Sequence, residues 1–149
     1  MLALGSDHAG LPLKREIMGF LDENGIEYKD FGTYTEDSCD YAVFAERVCL
    51  AIQSGECEQG VLCCGTGVGI SMAANKMRGI RCVVCTDCYS AKMSREHNNA
   101  NVLAMGSRVV GAELAKMIVD TFLKTGFLGG RHERRVQQIM ALERGETLQ

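Results

Sequence analysis

Val61-Leu62-Cys63-Cys64-Gly65-Thr66-Gly67-Val68-Gly69 is a run of four apolar residues that breaks into a glycine-rich turn. The run is too short for a helix, and no polar residue alternates along it. It therefore reads as a strand buried on both faces, followed by a turn and a short helical segment. The same unit recurs on both sides. Leu2-Ala3-Leu4 stops at Gly5, after which Leu13, Ile17, Phe20 and Leu21 recur at helical spacing up to Asn24-Gly25, a left-handed C-cap signal. A strand-like stretch, Glu27 to Phe31, precedes a second helical face of Tyr41, Phe44, Ala45, Val48 and Ile52. Ile80 to Cys85 reads as a fourth, buried strand, with a helix through about Glu96 and a fifth strand over Val102 to Met105. Two helices complete the chain, one carrying Leu114, Met117, Ile118 and Phe122, the other Val136, Ile139 and Met140. The only proline, Pro12, suits the first turn of the first helix.

Five strands alternating with helices predict an α/β fold: a Rossmann-like three-layer α/β/α sandwich around a five-stranded parallel sheet. No linker, repeat or low-complexity stretch interrupts residues 1–149, which read as one domain. With 46% hydrophobic and 23% charged residues, the composition is globular and excludes disorder or collagen. A net charge of −3 argues against a nucleic-acid or anionic-membrane partner. No apolar run approaches membrane-spanning length and the N-terminus lacks an export signal, so the expected location is cytoplasmic.

The eight cysteines then read mostly as small hydrophobes rather than disulfides. Cys82-x-x-Cys85-x-x-Cys88 imitates an iron–sulfur run. Residues three apart on a strand point to opposite faces, however, so Cys82 and Cys85 could not share an ion. No metal site and no cofactor is expected.

Ligands of open α/β sheets bind beyond the carboxyl ends of the strands. The residues there are Ser6-Asp7-His8, Cys64 to Gly69, Thr86-Asp87 and Gly106-Ser107-Arg108. The Gly65-Thr66-Gly67-Val68-Gly69 loop can bring backbone N–H groups close to an anionic ligand. It is not a dinucleotide fingerprint: Ile70 fills the third glycine's place, and the loop follows the third strand rather than the first. Cys64, at a strand end beside helix-starting amides, is placed as a reactive thiol or as a core residue, whereas Cys63 should face the other side of the sheet. His97-Asn98 offers a proton-exchanging group or a plain helix-terminal cation. Arg131 and Arg135, one turn apart, make a phosphate clamp or a solvated charged face, and Arg108 adds a third arginine.

Five stretches carry a resemblance along the whole chain. They are Gly5-Ser6-Asp7-His8, Cys64-Gly-Thr-Gly-Val-Gly-Ile-Ser-Met-Ala-Ala-Asn-Lys76, Ser94-Arg-Glu-His-Asn98, Gly106-Ser-Arg-Val-Val-Gly111 and Gly129-Gly-Arg-His-x-x-Arg-Val136. In this order they resemble the type B ribose-5-phosphate isomerases, whose wider family includes isomerases of allose 6-phosphate and galactose 6-phosphate. The resemblance implies a cofactor-free aldose–ketose isomerase of the pentose phosphate pathway, acting on a small sugar phosphate through a cis-enediolate. It implies Cys64 as the base that takes the C2 proton, His97 as the acid that opens the furanose ring, and Thr66 as a further catalytic residue. Asp7, His8, Gly65, Thr66, Gly67, Val68, Gly69, Asn98, Arg108, Arg131 and Arg135 correspond to substrate-binding positions. Some relatives use a glutamate base with another residue at the cysteine position; here the cysteine is present. Glu133 and Arg134 occupy a variable pair and receive no role. The resemblance also implies a homodimer or a dimer of dimers, with the last helix, about 131–143, packing on a partner subunit and Cys64 meeting the neighbour's His97. The competing reading within the same class is an isomerase of a six-carbon aldose phosphate such as allose 6-phosphate or galactose 6-phosphate; from another class it is a Rossmann-like nucleotide-binding regulatory module.

Overall fold

The computed structural model describes residues 1–149. The chain runs β1 (Leu2–Ser6), α1 (Leu11–Glu23), β2 (Tyr28–Asp30), α2 (Tyr41–Gln53), β3 (Gln59–Cys64), α3 (Val68–Ala74), β4 (Cys82–Val84), α4 (Cys88–Glu96), β5 (Val102–Gly106), α5 (Ala112–Lys124) and α6 (Arg131–Glu143). All strand pairings are parallel, in the order β2-β1-β3-β5-β4. The register sets Ser6 beside Cys63 and Cys64 beside Gly106, so β1, β3 and β5 end at one level.

The strands sort their side chains by alternation. Val61 and Cys63 of β3, with Leu103 and Met105 of β5, pack with Leu13, Ile17, Leu21, Ile118, Val119 and Phe122 of α1 and α5. Leu62, Cys64, Val102 and Ala104 face Ala45, Val48, Cys49, Ile70 and Ala74 of α2 and α3. Ala91 places α4 in the first of these layers. Each fully buried Leu, Ile or Phe in these two cores contributes about 1.5–3 kcal/mol relative to exposure.

The ends of α1 follow the sequence. Pro12 occupies its first turn, and Gly25, at φ 63°, closes its C-terminus while Ile26 N–H donates to Leu21 O at 2.9 Å. Lys14 is 1% exposed on the same helix. Its ammonium donates to Asp30 Oδ1 (2.6 Å) and Thr33 O (2.5 Å), pinning the segment after β2.

Three expectations need correction. The Ile80–Cys85 run is not a fully buried strand. Only Cys82–Val84 pairs, because β4 is an edge strand with β5 as its single neighbour, and Val84 is exposed. On α5, Leu114 and Met117 face outward, since small Ala115 and Val119 complete the buried stripe with Ile118 and Phe122. Ile139 of α6 is likewise exposed, and only His132 and Val136 of that helix are buried.

Candidate active site

β1 leads outward to β2, whereas β3 leads toward the other edge through β5 and β4. The crevice between the carboxyl ends of β1 and β3 is therefore the topological switch point. Three turns are tied together there. Asp7 is buried, and its Oδ1 accepts the Gly10 N–H at 2.8 Å. Ser107 N–H donates to Cys64 O (2.9 Å), Arg108 N–H to Gly65 O (3.0 Å), and Ser107 Oγ to Ala9 O (2.5 Å).

Cys64 lies at the floor of this crevice, 3% exposed at the margin of the α2/α3 core. Its Sγ accepts the Gly67 N–H at 3.1 Å, a contact that compensates negative charge on sulfur. The turn that aims this N–H needs glycine. Gly67 has φ 84°, and a Cβ there would lie 2.9 Å from the Met105 carbonyl carbon. Thr66 Oγ1 accepts the Val68 N–H at 3.2 Å, which leaves its hydroxyl hydrogen free to donate. Burial pushes Cys49, Cys63 and Cys85 up to about 12, so they stay protonated at neutral pH. Cys63 and Cys64 do face opposite layers, as their adjacency predicts.

His8 sits on the rim. Its Nδ1 accepts the Cys39 N–H at 3.2 Å, which assigns the ring proton to Nε2 and makes that edge a donor. Tyr41 packs against Gly69, where a Cβ would stand 2.7 Å from the Tyr41 ring. The 39–41 segment thus walls the crevice, which sequence reasoning missed: Tyr41 reads as one more residue of an apolar helix face. The exposed Arg108 guanidinium lies across the loop, with Nη1 3.2 Å from where a Gly65 Cβ would be.

His97, Asn98, Arg131 and Arg135 gather elsewhere, around a residue that the sequence did not single out. The His132 ring stacks on His97 with centroids 4.1 Å apart and planes 11° from parallel. Burial, His97, Arg131 and Arg135 push the His132 pKa below the ordinary histidine range, against the pull of Glu96. Arg131 and Arg135 are exposed and join no ion pair of this chain.

The two groups cannot meet within one chain. Cys64 is level with Gly106, whereas His97 caps the end of α4 that precedes the start of β5 at Val102. Four strand residues span roughly 13 Å, and α4 lies in the layer opposite to the one Cys64 faces, so the separation is roughly 15 Å or more.

Cys82 and Cys85 face opposite layers, and no group of three or more His, Cys, Asp or Glu side chains is close enough to hold a metal ion. Ile70, in the place of a third fingerprint glycine, is fully buried in α3. No helix is long and apolar enough to cross a membrane.

The chain is similar along nearly its whole length to known isomerases. Ribose-5-phosphate isomerase B of Escherichia coli is 56% identical over 142 residues, covering 95% of each chain. The structure of Clostridium thermocellum ribose-5-phosphate isomerase B superposes with a TM-score of 0.95 at 56% identity, over 97% of each chain. The Mycoplasma genitalium ribose-5-phosphate isomerase B, solved with bound ribulose 5-phosphate, superposes with a TM-score of 0.90 at 39% identity, over 96% of this chain and 95% of that one. The profile of the Ribose/Galactose Isomerase family matches residues 2–139, and with that match the chain belongs to this family.

Proposed function

We propose that this protein is an aldose–ketose isomerase that interconverts ribose 5-phosphate and ribulose 5-phosphate, in a site shared by two copies of the chain. The observation that carries the proposal is the Cys64 thiol, held against a backbone N–H at the floor of the switch-point crevice. The 56% identity to a ribose-5-phosphate isomerase B supports the choice of substrate.

The reaction moves one hydrogen and one electron pair within a single molecule, so it needs no redox partner. After ring opening, the Cys64 thiolate takes the proton from C2 of the aldehyde. The electron pair moves onto O1 as a cis-enediolate, and the proton returns to C1 to give the ketose. Loop N–H groups face the developing oxyanion. Thr66, its lone pair occupied by Val68 N–H, has a hydroxyl free to pass the remaining proton between O1 and O2. Asp7, His8 through Nε2–H, the Gly65–Gly69 backbone and Arg108 hold the sugar.

His97, Asn98, Arg131 and Arg135 complete the site from the partner. A two-fold axis sets one surface against another reciprocally, so two groups roughly 15 Å apart in one chain form two identical composite sites in a dimer. The partner's last helix then brings its arginines to the phosphate, and their binding energy orients the reacting carbons.

Ribose 5-phosphate, allose 6-phosphate and galactose 6-phosphate, assayed side by side by kcat/KM, test the proposal. It expects the pentose phosphate to lead. A six-carbon sugar in the lead overturns the substrate. Thermal stabilisation by NAD or AMP, but by none of these sugars, overturns the enzyme class.

A further inference from the structure

His132 is 8% exposed, although Arg131, Glu133, Arg134 and Arg135 around it all face solvent. It lies one turn before Val136, and these two are the buried residues of α6. Its ring lies flat on the His97 ring. The isomerisation described above gives it no part.

The two stacked imidazoles sit at opposite kinds of helix end. His97 is the C-cap of α4, its N–H donating to Met93 O at 2.8 Å, and the negative end of a helix favours a cation. His132 lies in the first turn of α6, where the positive helix end, Arg131 and Arg135 oppose a second cation. Glu96 faces the pair as the one carboxylate acting on His132, and it is outweighed. His132 is therefore held toward its neutral form, a flat aromatic plate against the His97 ring.

We propose that His132 is a positioning residue for His97: the face-to-face stack fixes the plane in which His97 presents its proton to the sugar ring oxygen. This rests on the reading of His97 as the ring-opening acid. Opening the hemiacetal breaks C1–O4 and makes C1=O1, so O4 gains a proton and the anomeric hydroxyl loses one. His97 gives the first and regains the second with no net change. Only an imidazole aimed in one plane serves both oxygens. Free rotation would spend much of its time misaligned.

The test separates ring opening from enolisation. Ribose 5-phosphate must be opened, whereas ribulose 5-phosphate, with its C5 oxygen blocked by phosphate, is already open-chain. Turnover of ribose 5-phosphate and wash-in of solvent deuterium at C1 of ribulose 5-phosphate are measured for His132→Ala, His132→Phe and His97→Asn. In His132→Ala, ribose turnover should fall roughly ten- to a hundredfold. Deuterium wash-in and both KM values should stay within about twofold. His132→Phe keeps the stack and should recover ribose turnover to within about threefold of the parent. The proposal is overturned if His132→Ala leaves turnover unchanged, slows both reactions equally, or raises KM for both sugars without rescue by Phe. That last result would make His132 a phosphate contact. His97→Asn reports on the underlying reading separately: retained ribose turnover there would remove His97 as the acid, whatever His132 does.

Discussion

Arg131→Ala and Arg135→Ala test whether α6 holds the phosphate. Both side chains are exposed and unpaired, so neither substitution orphans a buried charge, and stability should change by no more than about 0.5 kcal/mol. Four residues of helix separate the two Cα atoms by about 6 Å of rise on one face. At that spacing two guanidiniums repel by a few tenths of a kcal/mol, and a bound dianion relieves the repulsion. A hydrogen bond to a charged group is worth about 1.5–3 kcal/mol, so each alanine should raise KM roughly ten- to a hundredfold. Because the phosphate is charged in ground and transition states alike, kcat should change by less than about threefold. Steady-state assays at low and high salt check this. The parent's advantage should shrink as the Debye length contracts from about 30 Å at 0.01 M to about 3 Å at 1 M ionic strength. Thermal shifts give a second readout: stabilisation by sugar phosphate should fall in both variants while the ligand-free Tm holds. Unchanged KM in both variants would return this face to plain solvated charge. A KM rise matched by a lower ligand-free Tm would mean that the helix, not the charge, had been lost.

Further outcomes follow from the same geometry. Cys64→Ala should abolish isomerisation while calorimetry still detects sugar-phosphate binding, whereas Cys63→Ala, facing the other core, should keep activity. Loss of activity in Cys63→Ala alone would refute the assignment. Lys14→Met leaves the Asp30 carboxylate and Thr33 carbonyl without their cation and should cost about 3–5 kcal/mol in urea unfolding. Adding Asp30→Asn should recover part of that loss. A pH effect follows from His132, whose folded pKa is held below the unfolded value of about 6.5. As pH falls through that value, the unfolded chain binds a proton that the folded chain refuses, so stability declines on acidification. His132→Phe should flatten that slope in pH-dependent denaturation; an unaltered slope would contradict the sign.

Local chemistry made the sheet legible. Strict alternation assigned Cys63 and Cys64 to opposite layers even though β3 is apolar throughout. The fourth strand is shorter than its sequence suggests because Ile80 and Cys85 are buried outside the sheet, before and after an edge strand of three residues. The phase of α5 is ambiguous in the sequence because Leu114 and Met117 obey the same spacing as the core stripe, and small Ala115 hides the buried side. The crevice residues after β1, β3 and β5 lie where the carboxyl-end rule puts them. Cys39 and Tyr41 do not, since a loop with no local signal carries them to His8 and Gly69. His132 does carry a signal in the sequence: it stands one helical turn before Val136, so the buried stripe of α6 runs beside the face that carries Arg131 and Arg135.

The shared site is the central claim, and complementation tests it most directly. Cys64→Ala and His97→Asn chains, each inactive or nearly so alone, are co-expressed and the mixed dimer is isolated. If each site takes Cys64 from one chain and His97 from the other, a mixed dimer holds one doubly damaged site and one intact site. Random pairing makes half of the dimers mixed, so the unfractionated population should show roughly a quarter of the parent's specific activity and the isolated mixed dimer roughly half. A purified, mass-confirmed mixed dimer that shows no activity would contradict the account, because it would mean that every site carries a lesion.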